Sequence, residues 1–214
     1  MKHPNGRPAT GPLRRRDRGA AMLAALVVAA LLAAVGAGIL LMSNTERAIA
    51  RNFLTAHVTR LAADAALERA LVDLRRLDAT DLLSDSARSA FRDASFQPVA
   101  PWGGSVDLTY LTAQLQRTSD GETPWSVDAP IWQLLGSGPY ARLVSTVGDV
   151  ASQLYLVTWI GDDIADADGN PRVDSNDVVV IIAVALGPFG YRHTIRAAVA
   201  VAEEPRLLSW SVVD

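Results

Sequence analysis

A run of 23 residues without a charged side chain, residues 20–42, constrains the fold of this chain more than any other feature. Its sequence is AAMLAALVVAALLAAVGAGILLM. A helix of that length is about 34 Å long at 1.5 Å per residue, which is enough to cross the ~30 Å hydrocarbon layer of a membrane. The apolar region of a cleaved secretory signal is shorter, about 7–15 residues. The run therefore predicts a transmembrane helix that stays in the protein.

The charges on either side of this run differ in sign. The first 19 residues contain Asp17 and six basic residues: Lys2, Arg7, Arg14, Arg15, Arg16 and Arg18. Basic residues stay in the cytoplasm, which places residues 43–214 on the far side of the membrane. Because the whole chain has a net charge of −3 and its first 19 residues carry +5, the remainder carries −8. The net negative charge of residues 20–214 disfavours nucleic-acid binding and is compatible with cation binding.

The junction between the basic cluster and the apolar run reads RRRDRGAAMLAALVV at residues 14–28. It resembles the processing site of type IV prepilins, in which a prepilin peptidase cuts after the glycine and the apolar helix is retained. The resemblance implies a leader peptide of residues 1–19, cleavage between Gly19 and Ala20, and methylation of the processed chain. An uncleaved signal anchor is the alternative interpretation of the same segment.

The fifth residue after the predicted cut is Ala24, where most pilins and pseudopilins have glutamate. The exceptions are PilX-type minor pilins and GspK-type pseudopilins. The following stretch, TERAIARNFLTAHVTRLAADAALERALVDLR, resembles the PilX N-terminal pattern. The matching positions are Glu46, Arg47, Ala50, Asn52, Ala62, Ala63, Asp64, Ala65, Ala66, Leu67 and Glu68. The resemblance covers residues 14–78 and identifies a PilX-type minor pilin.

Residues 43–78 are predicted to continue the membrane helix as an amphipathic helix, because no proline or glycine interrupts residues 42–77. Gly36 and Gly38 weaken the apolar half by about 1 kcal/mol each relative to alanine. An apolar stripe along the second half is predicted to bury its side chains against a folded partner. Its members are Ile49, Phe53, Ala56, Leu61, Ala65, Leu71, Leu74 and Leu77.

Residues 79–214 are predicted to form a globular α+β domain that supplies this partner. β-prone runs lie at residues 106–115, 141–147, 153–160, 178–187, 193–202 and 207–213. The turn sequence GPFG at residues 187–190 predicts a hairpin, and the nearly all-apolar run before it predicts a central strand covered on both faces. Residues 118–140 are interpreted as a surface loop, with the GSG at residues 136–138 as a turn. The expected fold is pilin-like, with a long N-terminal helix packed on a mostly antiparallel sheet.

An acidic loop, DADGNPRVDSND at residues 166–177, separates two of these strands. Its spacing resembles an EF-hand-type or dockerin-type calcium loop, although Pro171 replaces the usual glycine and the last position is Asp instead of Glu. The candidate ligands are Asp166, Asp168, Asn170, the backbone carbonyl of Arg172, Asp174 and Asp177. The alternative is a solvated loop in which Asp and Asn only form turns.

Nothing in the sequence indicates catalysis. The three histidines, His3, His57 and His193, have no acid or nucleophile at motif spacing, and the chain has no cysteine. We therefore expect a protein that is not an enzyme, has no small-molecule substrate and does not bind nucleic acid.

The resemblance implies a subunit that primes or caps a type IV pilus, moving from the inner membrane into the pilus or to the cell surface. Its expected partners are other minor and major pilins, the prepilin peptidase and inner-membrane lipid. Calcium is the one cofactor considered. The alternatives are a GspK-like minor pseudopilin of a type II secretion system and a signal-anchored periplasmic calcium-binding module.

Overall fold

The computed structural model describes residues 14–144, 149–166 and 168–213. The chain divides into two units, Met1–Asn52 and Phe53–Asp214. Helix α1, Arg14–Leu74, has 61 residues and belongs partly to each unit. It runs through Gly36 and Gly38 without a break and ends four residues before the predicted boundary at residue 78.

The second unit contains a five-stranded sheet in which every strand pairs antiparallel with the next one along the chain. The strands are β1 Gln133–Pro139, β2 Tyr155–Asp162, β3 Val178–Leu186, β4 Arg192–Ala200 and β5 Arg206–Val212. The shorter helices are α2 Ala79–Leu83, α3 Leu108–Glu122 and α4 Asp149–Ser152. The predicted strands at residues 153–160, 178–187, 193–202 and 207–213 are confirmed, and so is the hairpin at residues 187–190.

Alternation along the strands gives the sheet two apolar faces. On β3, Val179 and Ile181 lie on the face covered by α1 and α2, whereas Val180 and Ile182 lie on the opposite face with Leu108 of α3. Successive strand side chains point to opposite faces, so a strand covered on both sides needs an almost continuous apolar sequence. The α+β fold with a long helix on an antiparallel sheet is therefore confirmed, and α3 is an additional layer.

The buried surface of α1 is formed mainly by alanines and not by the predicted stripe. Within the second unit, the side chains of α1 that pack in the core are Ala62, Ala63, Ala66, Leu67, Ala70 and Leu74. The larger stripe residues Phe53 and Leu61 are exposed by 75% and 48%. Small side chains let a helix backbone approach a sheet closely, and the sheet supplies the bulky side chains of that core. The predicted stripe is therefore wrong from Ile49 to Leu61, whose members are exposed, and confirmed at its end, where Leu74 is buried and Leu71 and Leu77 pack against the core.

The predicted strand at residues 106–115 is wrong, because residues 108–115 form the first half of α3. Asp107 caps the helix, because its side chain accepts a hydrogen bond from the backbone N–H of Tyr110 at 2.8 Å. Leu108, Leu111 and Leu115 then recur at helical spacing and pack in the core that covers the second face of the sheet. Capping and i, i+3, i+7 spacing outweigh the β-propensity of the intervening Thr and Tyr.

The predicted surface loop at residues 118–140 is confirmed only for residues 123–132, because residues 118–122 form the last turn of α3 and residues 133–139 form strand β1. Gly136 and Gly138 lie inside β1 and do not form a turn. A Cβ atom at Gly136 would lie 2.9 Å from Thr158 Oγ1, and one at Gly138 would lie 3.2 Å from the ring of Phe91. Both glycines are thus required by close packing. Residues 141–144 are not a strand either, and residues 145–147 lie outside the described part of the chain.

A partly buried hydrogen bond connects β2 to the segment that follows α2. The hydroxyl of Tyr155 donates to Asp93 Oδ2 at 2.6 Å, and Arg142 forms an ion pair with the same carboxylate. Burial and this hydrogen bond raise the pKa of Tyr155, so the phenol stays protonated. Tyr155 itself is fully buried.

We expect Tyr155→Phe to lower the free energy of unfolding by about 1.5–3 kcal/mol, the range for a hydrogen bond to a charged group. Tyr110→Phe removes a hydroxyl from a side chain that is 57% exposed and should change stability by less than about 0.5 kcal/mol. Urea denaturation of both variants in detergent, followed by circular dichroism, measures the difference. Equal stabilities would show that the bond to Asp93 contributes nothing to stability.

Candidate functional site

The apolar half of α1 exposes its large side chains. Leu23, Leu32, Leu40 and Leu41 are all exposed by about two thirds, and the most apolar window of the helix has none of its residues buried. Among the described residues, the stretch Gly19–Leu74 is the one helix that is long and apolar enough to span a membrane. Exposed apolar surface of this extent is compatible with a membrane anchor and marks a surface that contacts a membrane or another protein.

The residues predicted for processing and assembly all lie on α1. Gly19 and Ala20 are exposed and helical, and the helix begins at Arg14, before the predicted cut. Residues 1–13 of the predicted leader lie outside the described residues. Ala24, Gly38 and Glu46 are exposed, and Gly36 is half-buried. A Cβ atom at either Gly36 or Gly38 would meet nothing within 4 Å, so neither glycine is required by packing against the part of the chain that the structure describes.

The acidic loop joins β2 to β3, the two central strands. β2 ends at Asp162, which pairs with Val179 of β3. Leu156 and Ile160 of β2 pack on the face of the sheet that α1 covers. Asp162 lies an even number of residues after both, so its side chain points to the same face. The position therefore places a carboxylate where the strand pattern otherwise places an apolar side chain. Asp162 is 0% exposed.

The carboxylate of Asp162 is incompletely satisfied. Its Oδ1 accepts a hydrogen bond from the backbone N–H of Asp163 at 3.0 Å, whereas its buried Oδ2 has no partner among the described residues. Burial raises the pKa of Asp162 to about 7. The Asp163 N–H opposes this rise, and the negative charges of Asp166 and Asp174 add to it.

Asp166 is also buried, but hydrogen bonds from one residue satisfy both of its oxygens. The backbone N–H of Ser175 donates to Oδ2 at 2.6 Å, and the Ser175 hydroxyl donates to Oδ1. These bonds lower the pKa of Asp166, so its carboxylate is ionised. The loop thus places an ionised carboxylate close to the carboxyl group of Asp162.

Asp162, Asp166 and Asp168 form one group. Each of the three residues contributes one carboxylate oxygen, and these three oxygens all lie within 4.8 Å of one another. Asp168 is exposed, so the group extends from the end of β2 to the protein surface. Carboxylate oxygens at such spacing are the ligands that hard divalent cations prefer.

Two of the other predicted ligands, Asp174 and Asp177, are not part of this group. Asn170 Oδ1 accepts a bond from the N–H of Arg172 at 3.3 Å, and Asp174 Oδ1 accepts from the N–H of Val178 at 3.1 Å. Asp177 is exposed and has a left-handed backbone conformation, with φ of 60°. Burial of Asp174, together with the charges of Asp177 and Asp166, raises its pKa. These side chains mainly shape the loop.

The EF-hand-type spacing includes Asp166 and Asp168 but omits Asp162, which precedes the first position by four residues. The sequence contains one indication of its importance. Asp162 ends a strand whose preceding residues alternate between two buried faces, so a charged side chain there requires a partner.

Comparison with protein-family models, curated proteins and solved structures finds no match for this chain.

Proposed function

We propose that this chain is a minor pilin-like subunit that primes or caps a type IV pilus. The observation that carries the proposal is helix α1, whose N-terminal half exposes apolar side chains while residues 62–74 pack on the sheet. Such a helix has a first half suited to lipid or a helical bundle and a second half that holds a folded domain.

The composition of the apolar half favours packing between helices. Ala25, Ala29, Ala33 and Ala37 recur every four residues, which places them on one face of the helix. Small residues at this spacing let neighbouring helices approach closely in an apolar environment. In the proposed assembly, lipid around this face is exchanged for the helices of adjacent pilins.

The position of Ala24 is consistent with a subunit at the end of a fibre. In pilins that have a glutamate at this position, the buried carboxylate would pair with the amine of a neighbouring subunit. A subunit that starts or caps the fibre lacks one such neighbour, and alanine avoids leaving a charge unpaired in an apolar surrounding.

We propose that the basic N-terminus stays in the cytoplasm and that prepilin peptidase removes residues 1–19. In a host that has this peptidase, N-terminal sequencing of the membrane-extracted protein should begin at Ala20. Gly19→Leu should abolish cleavage. Gly38→Leu is the control, because it replaces a glycine of the same helix at a position where a Cβ atom meets nothing within 4 Å. This variant should still be cleaved.

An intact leader in the wild-type protein would contradict the proposal. It would favour the second candidate function, a signal-anchored cation-binding module. The observation behind this candidate is the acidic group at the end of β2, where a buried carboxylate oxygen lacks a partner among the described residues.

A further inference from the structure

We infer that Asp162, Asp166 and Asp168 bind one calcium ion at the end of strand β2. The inference does not rest on the proposed role in a pilus. It combines two independent observations: three carboxylate oxygens lie within 4.8 Å of one another, and the fully buried Asp162 has an oxygen without a partner among the described residues. The set differs from the EF-hand-type prediction because it includes Asp162 and omits the predicted ligands Asn170, Arg172, Asp174 and Asp177.

A buried carboxylate oxygen is almost always bonded to a donor or a cation. The described part of the chain has four buried side-chain atoms without a partner, and Asp162 Oδ2 is the one that belongs to a residue of the acidic group. The ion pairs formed by the described residues involve none of the loop carboxylates. A bound cation would supply the missing partner and neutralise the repulsion between the three side chains.

The ligands are held in place before any ion binds. Ser175 fixes the Asp166 carboxylate through two hydrogen bonds, and the backbone N–H of Asn170 donates to Asp168 Oδ1 at 2.7 Å. Asp162 is fixed by the pairing of β2 with β3. Each hydrogen-bonded carboxylate oxygen still has a lone pair available for a metal. Little ordering is therefore required on binding.

Calcium fits this arrangement better than magnesium does. Calcium accepts six to eight oxygens in irregular geometry, which three carboxylates, water and backbone carbonyls can provide. Magnesium requires a nearly regular octahedron, keeps several waters and is rarely enclosed by a set of protein carboxylates. The exposed side of the group, at Asp168, leaves room for water ligands and for entry of the ion.

The test uses the full-length protein in detergent, stripped with a chelator and then titrated with calcium chloride or magnesium chloride. Calorimetry should show one calcium per chain. With calcium about 100-fold above its Kd, the melting midpoint should rise by about 5–10 °C, because the ion binds only the folded form. Magnesium at the same concentration should have a much smaller effect.

Three variants assign the ligands. Asp162→Asn and Asp168→Asn should each remove most of the calcium-dependent rise, and Asp168→Asn changes an exposed residue, so its folding is not at risk. Asp177→Asn is the matched control, since asparagine tolerates the left-handed conformation found there, and it should keep the full rise.

No heat and no shift at about 10 mM calcium, well above the Kd range of extracellular calcium modules, would overturn the site. Loss of the rise in Asp177→Asn but not in Asp162→Asn would overturn the ligand set, and equal shifts with magnesium would overturn the choice of metal. None of these results depends on where the N-terminus is cut, so failure of this site and failure of the pilus proposal are distinguishable.

Discussion

Trp159→Ala is expected to lower the free energy of unfolding by about 3–5 kcal/mol, the range for removing a large buried aromatic side chain. Trp159 lies in the middle of β2, is 2% exposed and packs in the core between the sheet and α3. Its indole Nε1 also donates to Thr112 Oγ1 of α3 at 2.8 Å. The substitution therefore removes apolar contacts and a hydrogen bond between two elements at once.

Trp125→Ala is the matched control, because it removes the same atoms from a side chain that is 78% exposed. Its effect should stay within about 0.5 kcal/mol. Urea denaturation of the full-length variants in detergent, followed by far-UV circular dichroism, avoids relying on tryptophan fluorescence. If the two variants lose equal stability, α3 does not cover this face of the sheet.

Ala66→Asp is expected to have an effect of similar size at the interface between α1 and the sheet. Ala66 is 0% exposed and lies in the core with Ile181 of β3. An uncompensated buried charge costs about 3–5 kcal/mol, a large part of the 5–15 kcal/mol that stabilises a typical domain. We expect this variant to destabilise the second unit, Phe53–Asp214, without changing the apolar half of α1.

Two further variants distinguish the effect of the charge from the effects of its position and of side-chain size. Ala56→Asp places the same charge on an exposed part of α1 and should change stability by less than about 0.5 kcal/mol. Ala66→Leu enlarges the buried side chain without a charge and should cost about 1–3 kcal/mol. Protease resistance and thermal melting rank the three variants, and similar melting temperatures for Ala66→Asp and Ala56→Asp would contradict the packing of α1 on the sheet.

Sequence reasoning succeeded where a pattern is strong and local. The run at residues 178–187 can only be a buried strand or a helix segment, and GPFG after it selects the hairpin that the structure shows. It failed where tertiary packing decides. β1 contains Gly136 and Gly138, which are poor strand formers by propensity but are required where Thr158 and Phe91 approach the backbone.

The candidate metal site shows the same division. Loop spacing alone predicts Asp166 and Asp168 as ligands, because their separation is visible along the chain. It missed Asp162, whose importance comes from the burial of its side chain at the end of β2 and from the lack of a partner for Oδ2 in the described structure. Both are properties of the folded surroundings and cannot be derived from spacing.

By itself the sequence determined the long apolar helix, the antiparallel strands after residue 152 and the acidic loop between two of them. These features depend on local composition and periodicity, which act over a few residues. The tertiary structure alone decided that alanines face the sheet, that α3 covers its second face and that Asp162 joins the acidic group. Those outcomes depend on close packing and burial between segments far apart in the chain, because the shape of the neighbouring element determines which side chains fit against it.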